Sequence, residues 1–191
     1  MLFLLKRSGP EGTSVESCTY NNGKREVSMD VSKCMKTKLI LAKPECDYKS
    51  LLCKIASPMP RQVYIVDDNR KLLGIVSAVD LLKEIMPSYM NADLARSITD
   101  GADFLKKQVE KTKDKKARDI MVTDVVSLRP HHQLLEADAL IVEKGFNTLP
   151  VLDDQGRLLG EITRRDILLH LVNSCLQFEH DDIELIDLSK M

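Results

Sequence analysis

A carboxylate three residues after a hydroxyl, where a run of aliphatics begins, can do two kinds of chemistry. Residues 158–172 read LLGEITRRDILLHLV, so Gly160, Thr163 and Asp166 stand at intervals of three ahead of an apolar stretch. At the first turn of a helix, the aspartate can accept bonds from two vicinal hydroxyls such as those of a ribose. Bonds to an ionised acceptor are the stronger kind. The threonine, one turn earlier, can donate to a phosphate oxygen, aided by unpaired backbone N–H groups and the positive end of the helix dipole. The glycine lets the backbone turn closely. The same Ser/Thr-x-x-Asp pattern is also a variant capping box, which closes a helix end for about 1 kcal/mol and binds nothing. Both readings stand on these residues.

The frame occurs twice. Residues 72–86 read LLGIVSAVDLLKEIM, placing Gly74, Ser77 and Asp80 exactly 86 positions before Gly160, Thr163 and Asp166. Sliding residues 34–86 over 120–172 needs no gap and gives 11 identities in 53 positions, among them Met35/Met121, Thr37/Thr123, Pro44/Pro130 and Asp67-Asp68/Asp153-Asp154. Such a register marks a duplicated unit. Asp166 and Thr163 lead as candidate binding residues, followed by Asp80 and Ser77.

The elements that must position these residues can be read from pattern. KLILA (38–42) and DVVSL (124–128) are aliphatic or β-branched runs ending before a proline, hence short strands. HHQLLEADALIVEKG has helical periodicity and a glycine stop at Gly145. TLPVLDDQGRLLGEIT is two strands around a turn in which Asp154, Gln155 and Gly156 suit the special dihedrals. RDILLHLV is then a mostly apolar helix. The order β-α-β-β-α, twice over, predicts an α/β (α+β) fold. A unit of this size, on the order of 55 residues, cannot bury enough surface alone, so the two pack together as one pseudo-symmetric module. Helices apolar nearly all round, such as 166–172, predict a second subunit against them. Between the units, Leu94, Ile98, Leu105 and Val109 predict one amphipathic helix over 91–112. Residues 106–118 carry seven basic and two acidic side chains, read as a solvated face.

Composition excludes several classes. A chain of 191 residues, 43% hydrophobic and 30% charged with net charge −1, gives no reason to expect nucleic acid as a partner. MLFLL is too short for a signal peptide, and no apolar run approaches the roughly 20 residues that would insert in a membrane. Five cysteines without a C-x-x-C pair suit reduced thiols, and the expected location is cytoplasmic. His131-His132 has no partners at ligand spacing, so no metal site is expected. No Walker motif, Gly-x-Ser-x-Gly or paired catalytic carboxylates appear, so no catalytic residues and no required cofactor are assigned.

On Gly74-x-x-Ser77-x-x-Asp80, Gly160-x-x-Thr163-x-x-Asp166 and LPVLDD at 149–154, the chain resembles a tandem pair of CBS domains, a Bateman module. The resemblance implies unit boundaries near 28–90 and 115–175. A helical linker (91–114) joins them, and an acidic tail (176–191) with interspersed aliphatics follows. Residues 1–27 are expected to be a flexible extension, with Met29 as an alternative start. It further implies a cleft for an adenosine-type regulatory ligand: AMP, ADP, ATP or S-adenosylmethionine. Beside the Thr163/Asp166 and Ser77/Asp80 frames, the strands Thr37-Lys38-Leu39 and Thr123-Asp124-Val125 would frame the adenine. Arg61-Gln62 and Asn147-Thr148 would face the phosphates. Pro150, opposite Tyr64 in the repeat, and Arg165 complete the expected set. Such modules act as sensors, so an unidentified regulated protein in trans and a homodimer are the expected partners; a ligand-free dimerisation or scaffold module is the alternative.

Overall fold

The computed structural model of the chain describes residues 19–21, 24–26, 30–57 and 62–175. Two short strands, β1 (Thr19–Asn21) and β2 (Lys24–Glu26), pair antiparallel within the segment expected to be a flexible extension. The first unit runs α1 (Val31–Cys34), β3 (Leu41–Ala42), α2 (Tyr48–Ile55), β4 (Gln62–Val66), β5 (Leu72–Ser77) and α3 (Ala78–Ile85). A connection carrying α4 (Ala92–Ser97) and α5 (Gly101–Thr112) leads to the second unit. That unit runs α6 (Ala117–Ile120), α7 (Leu134–Lys144), β6 (Thr148–Leu152), β7 (Leu158–Thr163) and α8 (Arg164–Cys175). The acidic tail lies outside the described residues.

Both hairpins close by the same local chemistry. Asp67 Oδ1 accepts the backbone N–H groups of Asn69 and Lys71 at 2.8 Å each, and Asp153 Oδ1 accepts those of Gln155 and Arg157 at 2.9 and 2.8 Å. The next position turns through the left-handed region, with Gly156 at φ 78° and Arg70 at φ 64°. The expected stop of α7 at Gly145 is left-handed as well, φ 70°.

The opening strands are shorter than the sequence suggests, for a topological reason. β3 has two residues, and DVVSL contributes only a bridge from Leu128 to Val151. Lys36 pairs with Glu161 of β7, whereas Leu41 and Ala42 pair with Tyr64 and Ile65 of β4. Likewise Val122 pairs with Ile75 of β5, and Leu128 with Val151 of β6. Each of these strands begins on the other unit's sheet and ends on its own, so it can hold neither ladder for long.

The opening helical turns are exchanged too. Val31 of α1 is buried with Leu134, Ala137, Ile141, Leu149, Ile162 and Ile167, all of the second unit. Ala117 and Ile120 of α6 are buried with Tyr48, Leu51, Val63, Val76 and Leu81 of the first. Backbone bonds fix the exchange: Val31 N–H donates to the His132 carbonyl at 2.9 Å, and Ala117 N–H to the Cys46 carbonyl at 2.7 Å. A third apolar cluster, Tyr64, Val66 and Leu158 with Leu39, Leu72, Ile75 and Leu152, seals the junction between the two sheets.

The connection is two helices rather than one. Asn91 caps α4 through the Leu94 N–H, and Asp100 caps α5 through the Asp103 N–H, so the periodic run breaks where a second cap competes with helix continuation. Four members of its basic stretch pair with carboxylates: Lys107 with Asp103, Lys113 with Glu110, Lys115 with Glu84 and Arg118 with Glu45. Such exposed pairs add little stability.

Candidate functional site

The hydroxyl–carboxylate frame caps a helix in both units. Asp80 Oδ2 accepts the Ser77 N–H at 2.8 Å and the Ser77 hydroxyl at 2.6 Å, and the Asp80 N–H returns a bond to Ser77 Oγ at 3.4 Å. Asp166 Oδ2 accepts the Thr163 N–H at 2.9 Å and its hydroxyl at 2.6 Å, with the return bond at 3.2 Å. The capping reading is therefore correct as far as it goes. It consumes one carboxylate oxygen and leaves Oδ1.

At that second oxygen the units diverge. Asp80 is half-buried, and its Oδ1 makes no hydrogen bond to any described residue. Asp166 is 7% exposed, and its Oδ1 is paired with Lys36 Nζ at 2.8 Å. Lys36 comes from the first unit on the crossing strand. Thr37, Lys38 and Leu39 follow Lys36 on the strand bridged to Glu161, and Thr123, Asp124 and Val125 follow Val122 on the strand bridged to Ile75, so each strand enters on the other unit's hairpin. Sequence reasoning missed Lys36. The available signal was the one charged-for-apolar exchange next to the aligned threonines, Lys36 against Val122.

Further polar groups gather on the Asp166 side. Tyr64 donates its hydroxyl to Glu161 Oε2 at 2.6 Å and accepts from Gln62 Nε2 at 2.5 Å. The repeat places Pro150 and Ile75 at the positions of Tyr64 and Glu161, so the Asp80 side lacks this network. Burial pushes the Glu161 carboxyl up, with the Asp166 charge adding to it, against the Tyr64 bond and Lys36. Burial also raises the Tyr64 phenol, followed by the Glu161 charge.

Glu161 couples folding to pH. Its folded value lies above the ordinary carboxylate value of about 4.3, so the folded state holds the proton more tightly than the unfolded chain. Its contribution is most favourable below the unfolded value and is lost as pH rises through the raised folded value. Glu161→Gln keeps an acceptor for Tyr64 and removes the charge. The variant is expected to lose less stability than wild type between pH 4 and neutrality, and to be at least as stable at pH 7, in urea titrations. A variant less stable than wild type at pH 7 would contradict this.

The remaining expected residues scatter. Thr148 pairs with Thr163 across the hairpin and Gln62 with Ser77, so both stand beside their unit's cap. Asn147 is exposed, and its carbonyl accepts the Arg164 N–H at 3.2 Å. Pro150 is buried in β6. The Arg164 guanidinium is committed to the Gly145 and Phe146 carbonyls at the end of α7, leaving Arg165 exposed. Arg61 lies outside the described residues.

Cys34 Sγ lies 3.4 Å from His170 Nδ1, a pairing 136 residues apart that no local pattern shows. Burial raises this thiol, and the Asp166 and Asp30 charges raise it further, the opposite of an activated nucleophile. Among the described residues no group of three or more His, Cys, Asp or Glu could hold a metal ion, and no helix is long and apolar enough to cross a membrane.

Two pseudo-symmetric units, each a crossing segment, a helix, a β-hairpin and a final capped helix, interlock through their crossing segments and define a paired α+β module. The CBS domain profile matches residues 27–87 and 117–173, more than half of the sequence, and the chain belongs to the CBS domain family as a tandem pair. Crystal structures of the CBS-pair protein CBSX2 from Arabidopsis thaliana are among the similar folds. One is 25% identical with a TM-score of 0.63, covering 77% of this chain and 96% of that one. A second, in complex with AMP, is 26% identical with a TM-score of 0.59, covering 76% and 98%. In sequence, chloroplastic CBSX2 is 30% identical over 129 residues, which are 61% of this chain and 50% of the relative. An uncharacterized Methanocaldococcus jannaschii protein is 27% identical over 121 residues, 56% of this chain and 71% of that one. Inosine-5'-monophosphate dehydrogenase of Mycobacterium tuberculosis is 47% identical over 60 residues, only 11% of that enzyme.

Proposed function

We propose that the chain is a regulatory CBS pair that binds an adenosine-type ligand at the Asp80 position and signals in trans to a separate protein. The observation that carries this is the half-buried Asp80 carboxylate, fixed in place by its cap through Oδ2 and left with an open acceptor at Oδ1. Vicinal ribose hydroxyls fit that acceptor. Thr123, Asp124 and Val125, which continue the crossing strand from Val122, are the residues to frame an adenine, and Ser77 and Gln62 the neighbouring polar groups. The AMP-bound CBSX2 fold supports the ligand class. A ligand that binds only the folded state raises the melting temperature by mass action, by about 2.7 kcal/mol of stabilisation at a hundred times Kd. Thermal-shift titration with AMP, ADP, ATP and S-adenosylmethionine is expected to show a concentration-dependent rise for at least one. No rise with any of the four would leave the ligand-free scaffold as the better reading.

The module is further proposed to be a homodimer in the cytoplasm. Val79 and Leu82 on α3, Met86 just after it, and Leu168, Leu169 and Leu171 on α8 are all more than a third exposed. A groove of about 400 Å³ between α7 and α8 is lined by Ile141, Val142, Leu168 and Leu171. Apolar surface of this kind marks an interface. Light scattering is expected to give twice the 21.6 kDa chain mass, and a strict monomer at tens of micromolar would refute it.

A further inference from the structure

The two ribose positions of this module differ in one group that the repeat itself isolates. Lys36 and Val122 occupy the same place in the duplicated unit, each locked by reciprocal backbone bonds to the other unit's hairpin. The Lys36 N–H donates to the Glu161 carbonyl at 2.8 Å and the Lys36 carbonyl accepts from the Glu161 N–H at 2.9 Å; Val122 does the same with Ile75 at 2.9 and 3.0 Å. With the backbone held alike, the side chains decide what the neighbouring aspartate can do. The Lys36 ammonium takes the oxygen of Asp166 that the cap leaves over, while Val122 offers Asp80 nothing to bind.

We propose that Lys36 is an internal occupant of the Asp166 ribose position, so that the chain loads one adenosine ligand, at Asp80, rather than two. This rests on the adenosine reading above. Three features support it. The Asp166 side chain is 6% exposed while that of Lys36 is 49% exposed, so the ammonium covers the carboxylate from the solvent side. Both Asp166 oxygens are engaged, and an incoming pair of hydroxyls would have to displace an ion pair between two full charges to win bonds from neutral donors. Glu161 adds a second carboxylate beside Asp166, where the first unit has Ile75, so a phosphate would enter against negative charge. The duplicated fold keeps both positions; the lysine closes one.

The test is calorimetric titration of the full chain with AMP, in three forms. Wild type is expected to bind one AMP per chain. Lys36→Val, which copies the residue of the other unit, is expected to bind two, the original site keeping its affinity within about threefold. Val122→Lys is expected to place an ammonium beside Asp80 and weaken or abolish the wild-type site. Lys36→Met serves the same purpose if the valine variant melts more than a few degrees early. A wild type that already binds two, or a folded Lys36 variant that stays at one, overturns the role of Lys36 while leaving adenosine binding intact. Binding that appears only when Lys36 is replaced upholds its role and overturns the Asp80 assignment. Silence in all forms toward AMP, and equally toward ADP, ATP and S-adenosylmethionine, overturns both.

Discussion

Asp80→Ala is expected to weaken AMP binding by roughly tenfold to several hundredfold. The variant removes the acceptor offered to the ribose, where each charge-assisted bond is worth about 1.5–3 kcal/mol and every 1.4 kcal/mol is a factor of ten. It also removes the cap on α3, which costs about 1 kcal/mol of stability. Asp80→Asn separates the two contributions, because asparagine caps well but is a weaker acceptor. Its stability should barely move while its affinity still falls. Asp166→Ala is expected to behave in the opposite sense. Its carboxylate holds both the α8 cap and Lys36, so stability drops by about 1–3 kcal/mol, while AMP binding at Asp80 is retained. Calorimetry for affinity and urea titration for stability read the two axes independently. Unchanged affinity in both Asp80 variants would sink the assignment.

Gly160→Val is expected to be the most damaging small-to-large change in the fold. A Cβ at this position would lie 2.7 Å from the Lys36 carbonyl oxygen and 2.9 Å from Met35 Sδ. The methionine can move, but the carbonyl is held by the bond from the Glu161 N–H. Overpacking of this kind costs about 1–3 kcal/mol, and for a chain of this size each kcal/mol lowers Tm by about 2–4 °C. Gly74→Val meets the Val122 carbonyl at 2.8 Å and pushes on the strand that passes Asp80, so AMP affinity should fall together with stability. Gly101→Ala is the control: nothing lies within 4 Å of its Cβ, and its effect should stay within about 0.5 kcal/mol. Melting curves that ranked Gly101→Ala beside the other two would show that the close approach is not what these glycines serve.

These two glycines also show what a sequence can disclose. Their place in the repeat was legible, as were the hairpin turn at 154–156, the stop at Gly145 and the caps at Ser77 and Thr163. All are local chemistry, settled by residues within about four positions of one another. What Gly160 approaches was not legible, because Lys36 lies 124 positions away and belongs to the other unit. The same holds for Tyr64 with Glu161, Lys36 with Asp166 and Cys34 with His170. The pattern over 91–112 carried a continuous apolar stripe, and the cap at Asp100 overrode it. In KLILA and DVVSL the strand propensity was real, but the chain spends those residues crossing between sheets. Most consequentially, residue types alone ranked Asp166 ahead of Asp80. Only the third dimension brings a lysine to one and leaves the other open.

The exchanged helical turns bear on how the chain can be made. The apolar cluster around Tyr48, Leu51 and Leu81 draws Ala117 and Ile120 from beyond the connection, and the one around Leu134, Leu149 and Ile162 draws Val31 from near the start. During synthesis, therefore, no stretch emerging from the ribosome before residue 120 contains every side chain of either cluster. Growing chains commonly complete their N-terminal portion first. Here the first half must wait for α6, and a cut within the connection would leave each fragment holding a piece that belongs to the other.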